Sequence, residues 1–118
     1  MRVGAESENE FPKALRLRAA SEFQFVYERG ARKVSRSFVV FVLANELGYT
    51  RFGFTTPRKL AKAHDRNRIR RRIREILRSA RRELPAGYDV VINPRRSAGE
   101  RKFDELRTEL INLLGGES

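Results

Sequence analysis

The sequence predicts a small α+β protein, an α/β sandwich in which helices pack on a mixed sheet. A central segment, residues 59–82, carries apolar residues at helical spacing, and a second amphipathic segment with regularly spaced leucines ends the chain. Short stretches rich in β-branched and aromatic residues lie between them, at 37–43, 51–56 and 88–92. With a first helix near residue 21, the predicted order is α-β-β-α-β-α.

The chain is predicted to be one domain preceded by a short tail. At 118 residues it is long enough for one packed core but not for two. Residues 1–13 are polar, acid-rich and without periodicity, so we expect a flexible tail there. Residues 14–116 are assigned to the domain.

The first helix is predicted to begin at a capping box formed by Ser21 and Gln24 and to end at Gly30 in a left-handed turn. Three side chains share one of its faces: Phe23, Val26 and Tyr27. Phe25 points nearly the opposite way. Aromatic residues on both faces of so short a helix indicate either packing between two layers or rings offered to a ligand.

The first two strands, residues 37–43 and 51–56, are predicted to form an antiparallel hairpin around a turn that contains Gly48. Side chains of the first strand alternate between two faces, with Phe38 and Val40 on one and Val39 and Phe41 on the other. Core packing is the preferred interpretation for four rings of the chain: Phe38, Phe52, Phe54 and Phe103.

The central helix is predicted to have one apolar face and one almost purely cationic face. The apolar stripe consists of Ile69, Ile73, Ile76, Leu77 and Ala80. The cationic face consists of Asn67, Arg70, Arg71, Arg74, Arg78, Arg81 and Arg82. Because like charges four residues apart repel each other, this face favours an anionic partner.

Nearly all of the net positive charge of the protein lies in this segment. The chain has a formal net charge of +11, and residues 57–82 hold twelve basic and two acidic residues. Most of these basic residues are Arg, whose planar guanidinium binds phosphate bidentately and stacks on bases, so the composition favours RNA. The alternative is a solvated face without a partner, but such faces normally mix the two signs of charge.

Composition also excludes several kinds of site. The absence of Cys excludes a disulfide framework, a Cys-based zinc site and a thiol nucleophile. The carboxylates are scattered, and the only His, His64, lies among arginines, so neither a metal-dependent nuclease site nor a Ser-His-Asp triad is predicted. No apolar run has the length of a membrane span, so we expect a cytoplasmic protein with no membrane partner.

Residues 62–75 closely resemble the signature of the bacterial ribonuclease P protein subunit, whose centre is Arg66-Asn67-Arg68 here. The likeness extends from about Leu15 to Leu114 in the order and spacing of the family, and includes Arg51-Phe52-Gly53 and the segment 87–91. The chain departs from the family at two positions. Ala61 stands where Gly is frequent, and His64 stands where an apolar residue is frequent.

The resemblance implies both a fold and a function. The helix that bears the signature would join two strands by a left-handed crossover, against the usual right-handed rule. The protein would be the non-catalytic component of an endoribonuclease that matures the 5′ end of tRNA. A catalytic RNA subunit with bound Mg²⁺ would hydrolyse precursor tRNA, and the protein would bind that RNA and the single-stranded 5′ leader.

The resemblance also assigns site residues by position. Six would bind the RNA subunit: Arg66, Asn67, Arg68, Arg70, Arg71 and Arg74. Six would bind the leader: Phe23, Tyr27, Val39, Phe41, Arg58 and Lys59. A single strand is held by a basic groove and by rings on which bases stack. The residue pattern alone leaves Phe23 and Phe41 equally open to base stacking and to core packing.

Two other functions fit a basic helix of this kind. A structural ribosomal RNA-binding protein would bury the helix in RNA and would need no open aromatic cleft. A DNA-binding helix protein is disfavoured because no helix-turn-helix spacing is evident. No catalytic residue and no metal ligand is predicted on the polypeptide itself, and the sequence leaves the oligomeric state open.

Overall fold

The structure, a computed structural model, describes residues 15–115 with the exception of the side chain of Arg81. The tail predicted over residues 1–13 lies outside the described residues. Within them the elements are α1 (Ala20–Arg29), β1 (Ala31–Val34), β2 (Phe38–Ala44), β3 (Arg51–Phe54), α2 (Ala63–Ala80), β4 (Tyr88–Pro94) and α3 (Phe103–Gly115). Short 3-10 turns occur at Arg58–Leu60, Arg81–Glu83 and Arg96–Glu100.

The strands of the described chain form one mixed sheet in the order β1-β2-β4-β3. Strand β2 is antiparallel to β1 and to β4, whereas β3 is parallel to β4. The predicted mixed sheet is therefore confirmed, but the predicted hairpin between residues 37–43 and 51–56 is wrong, because β4 lies between those strands. Val90, Val91 and Ile92 of β4 are all buried, because a central strand is covered on both faces of the sheet.

Strand β1 is not among the predicted elements, so the observed order is α-β-β-β-α-β-α. Its sequence, Ala31-Arg32-Lys33-Val34, contains two cations and shows no apolar alternation. Only Lys33 of this strand is even half-buried. An edge strand tolerates such a sequence because one of its sides and much of its length face solvent.

The sheet edge formed by β3 is covered by the chain that precedes α1. Arg16 forms a parallel bridge with Phe52, and the Leu17 amide donates a hydrogen bond of 2.8 Å to the Phe52 carbonyl. Arg16 and Leu17 therefore continue the sheet by a short extended segment beyond β3.

Both ends of α1 differ from the prediction. The helix begins at Ala20, and the Glu22 carboxylate accepts hydrogen bonds from the amides of Arg18 and Ala19, at 2.8 and 3.1 Å, in place of a Ser21–Gln24 box. Gly30 ends the helix with φ −80°, so the predicted left-handed turn is wrong. Glycine is required there for space, since a Cβ would lie 2.7 Å from the Val26 carbonyl oxygen.

The two faces of the sheet pack against different helices. On one face the predicted apolar stripe of α2 is buried with side chains of β2, β3, β4 and α3: Phe38, Val40, Phe52, Val90, Ile92, Leu106 and Leu110. Phe54 and Phe103 pack against this cluster, which confirms the core assignment of the four rings. On the other face α1 packs over Val91 through Val26. The result is an α/β/α sandwich.

Helix α2 connects the parallel neighbours β3 and β4, as the crossover expectation requires; the hand of that crossover stays a prediction. Ala61, which precedes α2, has φ −171°, an extended conformation that any residue adopts. The departure from Gly at this position is therefore accommodated without strain. Among residues 15–115, none of the helices is long and apolar enough to cross a membrane.

Candidate nucleic-acid interface

Helix α2 carries seven Arg and two acidic residues, and its own carboxylates neutralise few of these charges. Arg68 lies 3.6 Å from the Asp65 carboxylate, and Arg78 forms an ion pair with Glu75. Within residues 15–115, no other Arg of α2 forms an ion pair with a carboxylate. Surface ion pairs of this kind contribute only about 0–1 kcal/mol, so most of the positive field remains available to a partner.

Neutral groups orient several of the remaining guanidinium groups. Arg70 donates a hydrogen bond of 2.7 Å to the side-chain oxygen of Asn67. The guanidinium of Arg74 lies over the Phe54 ring, 5.8 Å from its centroid. Arg71 is exposed and has no partner among the described residues. These contacts restrict the side chains without cancelling their charge.

The two arginines of the signature itself are anchored to backbone. Arg66 donates to the Ala61 carbonyl at 2.9 Å, and Arg68 donates to the Gly99 carbonyl at 3.2 Å. Both side chains are half-buried. They therefore fix the loops on either side of the N-terminal half of α2 while presenting charge between those loops.

A concave surface of about 740 Å³, here called the basic hollow, lies at this end of α2. Six cations line it: Arg58, Lys59, Lys62, Arg66, Arg68 and Arg96. Two carboxylates, those of Asp65 and Glu100, also border it. The hollow therefore brings residues predicted to bind the leader together with residues predicted to bind the RNA subunit.

The wall of the basic hollow opposite α2 comes from the 3-10 turn that follows β4. Arg96 in that turn donates a hydrogen bond of 3.3 Å to the Lys59 carbonyl, which ties the two loops together. Arg96 is not among the site residues predicted from the sequence. The structure places its charge beside those of Arg58 and Lys59.

The side of the sheet that faces α1 carries a half-buried group of side chains, here called the sheet patch: Tyr27, Val39, Phe41, Thr55 and Asn93. Val39 and Asn93 are cross-strand partners, and Phe41 is paired with Val91. The Tyr27 and Phe41 rings meet edge to face, with centroids 4.9 Å apart and an interplanar angle of 88°.

Phe23, like Tyr27 and Phe41, is half-buried between α1 and the sheet. A Cβ on Gly53 would lie 2.6 Å from its ring, so the ring rests directly on the backbone of β3. Phe23 also packs in the cluster formed by Leu17, Val26 and Val91. Tyr27 and Phe41 pack against the same cluster, so all three predicted leader-binding rings make core contacts.

A network of charged side chains fixes the first turn of α1 to the sheet. Arg51 donates two hydrogen bonds to the buried Asp89 carboxylate, at 2.9 and 2.7 Å, and lies 3.4 Å from Glu22. Burial would raise the pKa of Asp89, but hydrogen bonds from Arg51 and Asn45 outweigh it and hold the pKa below its usual value. Amide hydrogen bonds from Arg18 and Ala19 lower the pKa of Glu22.

Two remaining features singled out from the sequence are exposed. The His64 side chain is 87% exposed, with its Nδ1 atom 3.3 Å from the Asp65 carboxylate. Phe25 is 49% exposed on the outer side of α1 and lies under the Arg29 guanidinium, 4.7 Å from its ring centroid. In the described part of the chain, His and the carboxylates form no group of three or more that could hold a metal ion.

The sequence of the chain matches the Ribonuclease P family over residues 11–116. This match covers the signature helix, the strands that flank it and both other helices. The chain belongs to the ribonuclease P protein family. Its function is that of a ribonuclease P subunit in the processing of tRNA 5′ ends.

Curated relatives and solved structures of the ribonuclease P family agree with this assignment. The ribonuclease P protein component of Thermotoga maritima is 35% identical over 88% of this chain and 92% of its own. That of Symbiobacterium thermophilum is 41% identical over 86% of this chain and 90% of its own.

Two solved structures resemble the fold described here. The RNase P protein from Thermotoga maritima has a TM-score of 0.79 at 34% identity, over 87% of this chain and 98% of its own. The RNase P protein of Staphylococcus aureus has a TM-score of 0.77 at 28% identity, over 86% and 93%.

In this ribonuclease P protein, sequence reasoning missed Thr55 and Asn93 of the sheet patch. The predicted strand ends at Ile92, whereas β4 continues to Pro94. Extending the strand by one residue places Asn93 on the same face as Val91, by simple alternation. The signal was present in the sequence, but Pro94 and the basic residues after it have the composition of a loop.

Proposed function

We propose that the exposed side of α2 binds the RNA subunit of ribonuclease P. The residues that make this contact are Arg66, Asn67, Arg68, Arg70, Arg71 and Arg74. The observation that carries the proposal is the charge of this helix. Among the described residues, only two of its seven Arg have a carboxylate partner. Phosphate oxygens would supply the missing negative charge, and binding would release counterions from the RNA.

The 5′ leader of precursor tRNA is assigned to the sheet patch and the basic hollow together. Thr55 and Asn93 each lie three residues before an Arg of the hollow, Arg58 and Arg96. Three residues of extended chain span at most about 11 Å, so the two surfaces are close. Rings of the patch, Tyr27 and Phe41, would stack leader bases while Arg58 and Lys59 bind leader phosphates.

Hydrolysis is assigned to the RNA subunit, which would hold the Mg²⁺ ions of the holoenzyme. Metal-dependent phosphodiester hydrolysis needs carboxylates grouped around one or two ions. Within residues 15–115 the protein offers no such group, so its residues do not fit a Mg²⁺ site of their own. The protein would act in the cytoplasm by screening phosphate repulsion and by positioning the leader. Without the RNA subunit, the polypeptide would not cleave precursor tRNA.

Reconstitution with a ribonuclease P RNA tests this function. We expect the protein to lower the Mg²⁺ concentration needed for cleavage of precursor tRNA at its 5′ end, because protein cations replace part of the screening by metal ions. The holoenzyme should also bind leader-bearing precursor tRNA more tightly than leaderless tRNA. The readouts are cleavage rate as a function of Mg²⁺ and the ratio of the two affinities.

The variant Arg70→Gln with Arg74→Gln should lose much of the gain at low Mg²⁺. The variant Arg29→Gln with Lys102→Gln removes the same charge from exposed positions outside both surfaces and should keep that gain. A protein that leaves the Mg²⁺ requirement unchanged, or RNA-free protein that cleaves precursor tRNA, would contradict the proposal.

A further inference from the structure

Asn93 occupies a central place in the sheet patch. Its side-chain oxygen accepts hydrogen bonds from the Tyr27 hydroxyl at 3.2 Å and from the Thr55 hydroxyl at 2.9 Å. The three residues come from α1, from β4 and from the extension of β3, so the amide is held from both sides. Val39, its cross-strand partner, is apolar.

These two hydrogen bonds leave the amide with unused donors. A side-chain amide has one oxygen with two acceptor positions and one NH₂ group with two donors. Both acceptor positions of Asn93 are occupied, whereas the NH₂ group has no acceptor among the described residues. The residue is half-buried, and this nitrogen is not among the buried polar atoms that lack a partner. The donors therefore face accessible space.

We propose that Asn93 is a specificity-determining residue that reads one base of the leader through its NH₂ donors. The inference rests on the proposed binding of the leader at the sheet patch. Guanine and uracil present a keto oxygen where adenine and cytosine present an amino group. An NH₂ group held in place can donate a hydrogen bond to the keto oxygen, whereas it meets a second donor in the amino group. One leader position should therefore favour G or U over A or C.

Thr55 acts as the positioning residue for this contact. Its hydroxyl makes the shorter of the two hydrogen bonds to the Asn93 oxygen. Without that bond only the Tyr27 hydroxyl restrains the amide. An amide that rotates would present its oxygen, which suits amino groups instead. Selectivity between keto and amino bases should therefore depend on Thr55 even though Thr55 itself donates to no base.

The test uses the holoenzyme reconstituted with a ribonuclease P RNA and a series of precursor tRNAs. Each leader nucleotide in turn is U or C, and in a second series G or A, and the dissociation constant is measured for each. We expect one position at which the keto base binds about three- to tenfold more tightly, the usual value of one hydrogen bond. Asn93→Ala and Asn93→Ser should both abolish this preference.

Variants of Thr55 separate orientation from stability. Thr55→Val removes the hydroxyl at nearly constant shape and should reduce the keto preference, whereas Thr55→Ser should retain it. Thermal unfolding of each free protein identifies any variant whose fold is damaged. The proposal is overturned if the wild-type holoenzyme prefers amino bases or has no preference at any position, or if both Asn93 variants keep the preference.

The same experiment separates this inference from the proposed function. If the wild-type holoenzyme binds leader-bearing and leaderless tRNA equally, leader binding by the protein is wrong and the base preference has no basis. If the leader increases affinity in the wild type and in both Asn93 variants while all bases bind alike, leader binding stands and the reading by Asn93 falls.

Discussion

Gly53 sets the distance between α1 and the sheet. The Phe23 ring rests on its Cα, and a Cβ at this position would lie 2.6 and 2.9 Å from two ring atoms and 3.0 Å from the Leu17 Cβ. A Cβ at this position would therefore force the Phe23 ring to shift or α1 to move away from the sheet.

Gly53→Ala should destabilise the protein. Overpacking of a filled core costs about 1–3 kcal/mol, and we expect a loss of that size in the free energy of unfolding. Gly115→Ala is the matched control, since no described atom beyond its chain neighbours and the nearby backbone of its own helix lies within 4 Å of the added Cβ. Urea unfolding of the two variants measures the difference. Equal stability of both would show that Phe23 moves aside without cost.

At the scale of elements, α1 is attached to the sheet by charge at its first turn and by apolar contacts along its length. Arg51 connects Glu22 of α1 with Asp89 of β4, and Asn45 adds a hydrogen bond of 2.8 Å to the same Asp89 carboxylate. The apolar contacts of Val26 continue the attachment. The lowered pKa values of Glu22 and Asp89 make the charged part sensitive to acid.

Acid should weaken this attachment. Because the folded state holds the pKa of Asp89 below its unfolded value, the stabilisation is present above the usual carboxyl pKa of about 4 and is lost as pH falls through the folded value. The free energy of unfolding of the wild type should therefore decline between about pH 5 and about pH 3. Asp89→Asn should show a shallower decline.

At neutral pH Asp89→Asn should cost about 3 kcal/mol, since it leaves a partly buried Arg51 with a weaker partner. Asp104→Asn on the exposed start of α3 is the control and should change stability by less than about 0.5 kcal/mol. Urea unfolding at several pH values gives both numbers. An acid slope that is identical in wild type and Asp89→Asn would exclude Asp89 as its cause.

Elements that depend on local pattern were predicted well, and pairing between distant strands was not. The stripe from Ile69 to Ala80 follows from helical periodicity alone, and the structure buries all of it. Which strands pair with β4 depends on which strand of the sheet is the most buried. That is a property of the whole sheet and not of one segment. The segment after Ala44 has the composition of a hairpin turn, but here the Asn45 amide donates to the carbonyl of Gly87, the residue just before β4.

The same distinction holds for the candidate site. Arginines on the outer face of α2 were predicted because one helix carries them all. The basic hollow was not predicted as a unit, since Arg58, Arg66 and Arg96 come from three separate segments that only the tertiary fold brings together. Asn93 was missed for a local reason, because the predicted strand ends at Ile92, two residues before the observed end of β4 at Pro94. The binding roles assigned to all these residues remain predictions.

At the scale of the whole molecule, positive charge is concentrated on α2 and the loops beside it, while the apolar cores lie on both faces of the sheet. Affinity for RNA should therefore fall steeply as salt rises, by about 0.7–0.9 in the logarithmic slope for each phosphate contact. Arg70→Gln with Arg74→Gln should lower this slope by about 1.4–1.8 if each Arg binds one phosphate.

Titration of the reconstituted complex at several salt concentrations measures the slope. Arg29→Gln with Lys102→Gln again serves as the control, because it removes two charges without touching α2. Its slope should equal that of the wild type. Equal slopes for all three proteins would remove the outer face of α2 from the interface with RNA.

The two lateral borders of the sheet have a consequence for the free protein. On one side, Arg16 and Leu17 occupy backbone groups of Phe52 in β3 that would otherwise be open to another chain. On the other side, Arg32 and Lys33 place like charges on β1, where an approaching copy would bring the same two cations. Strand addition between molecules is disfavoured at both borders, which protects this basic polypeptide from aggregation before it meets RNA.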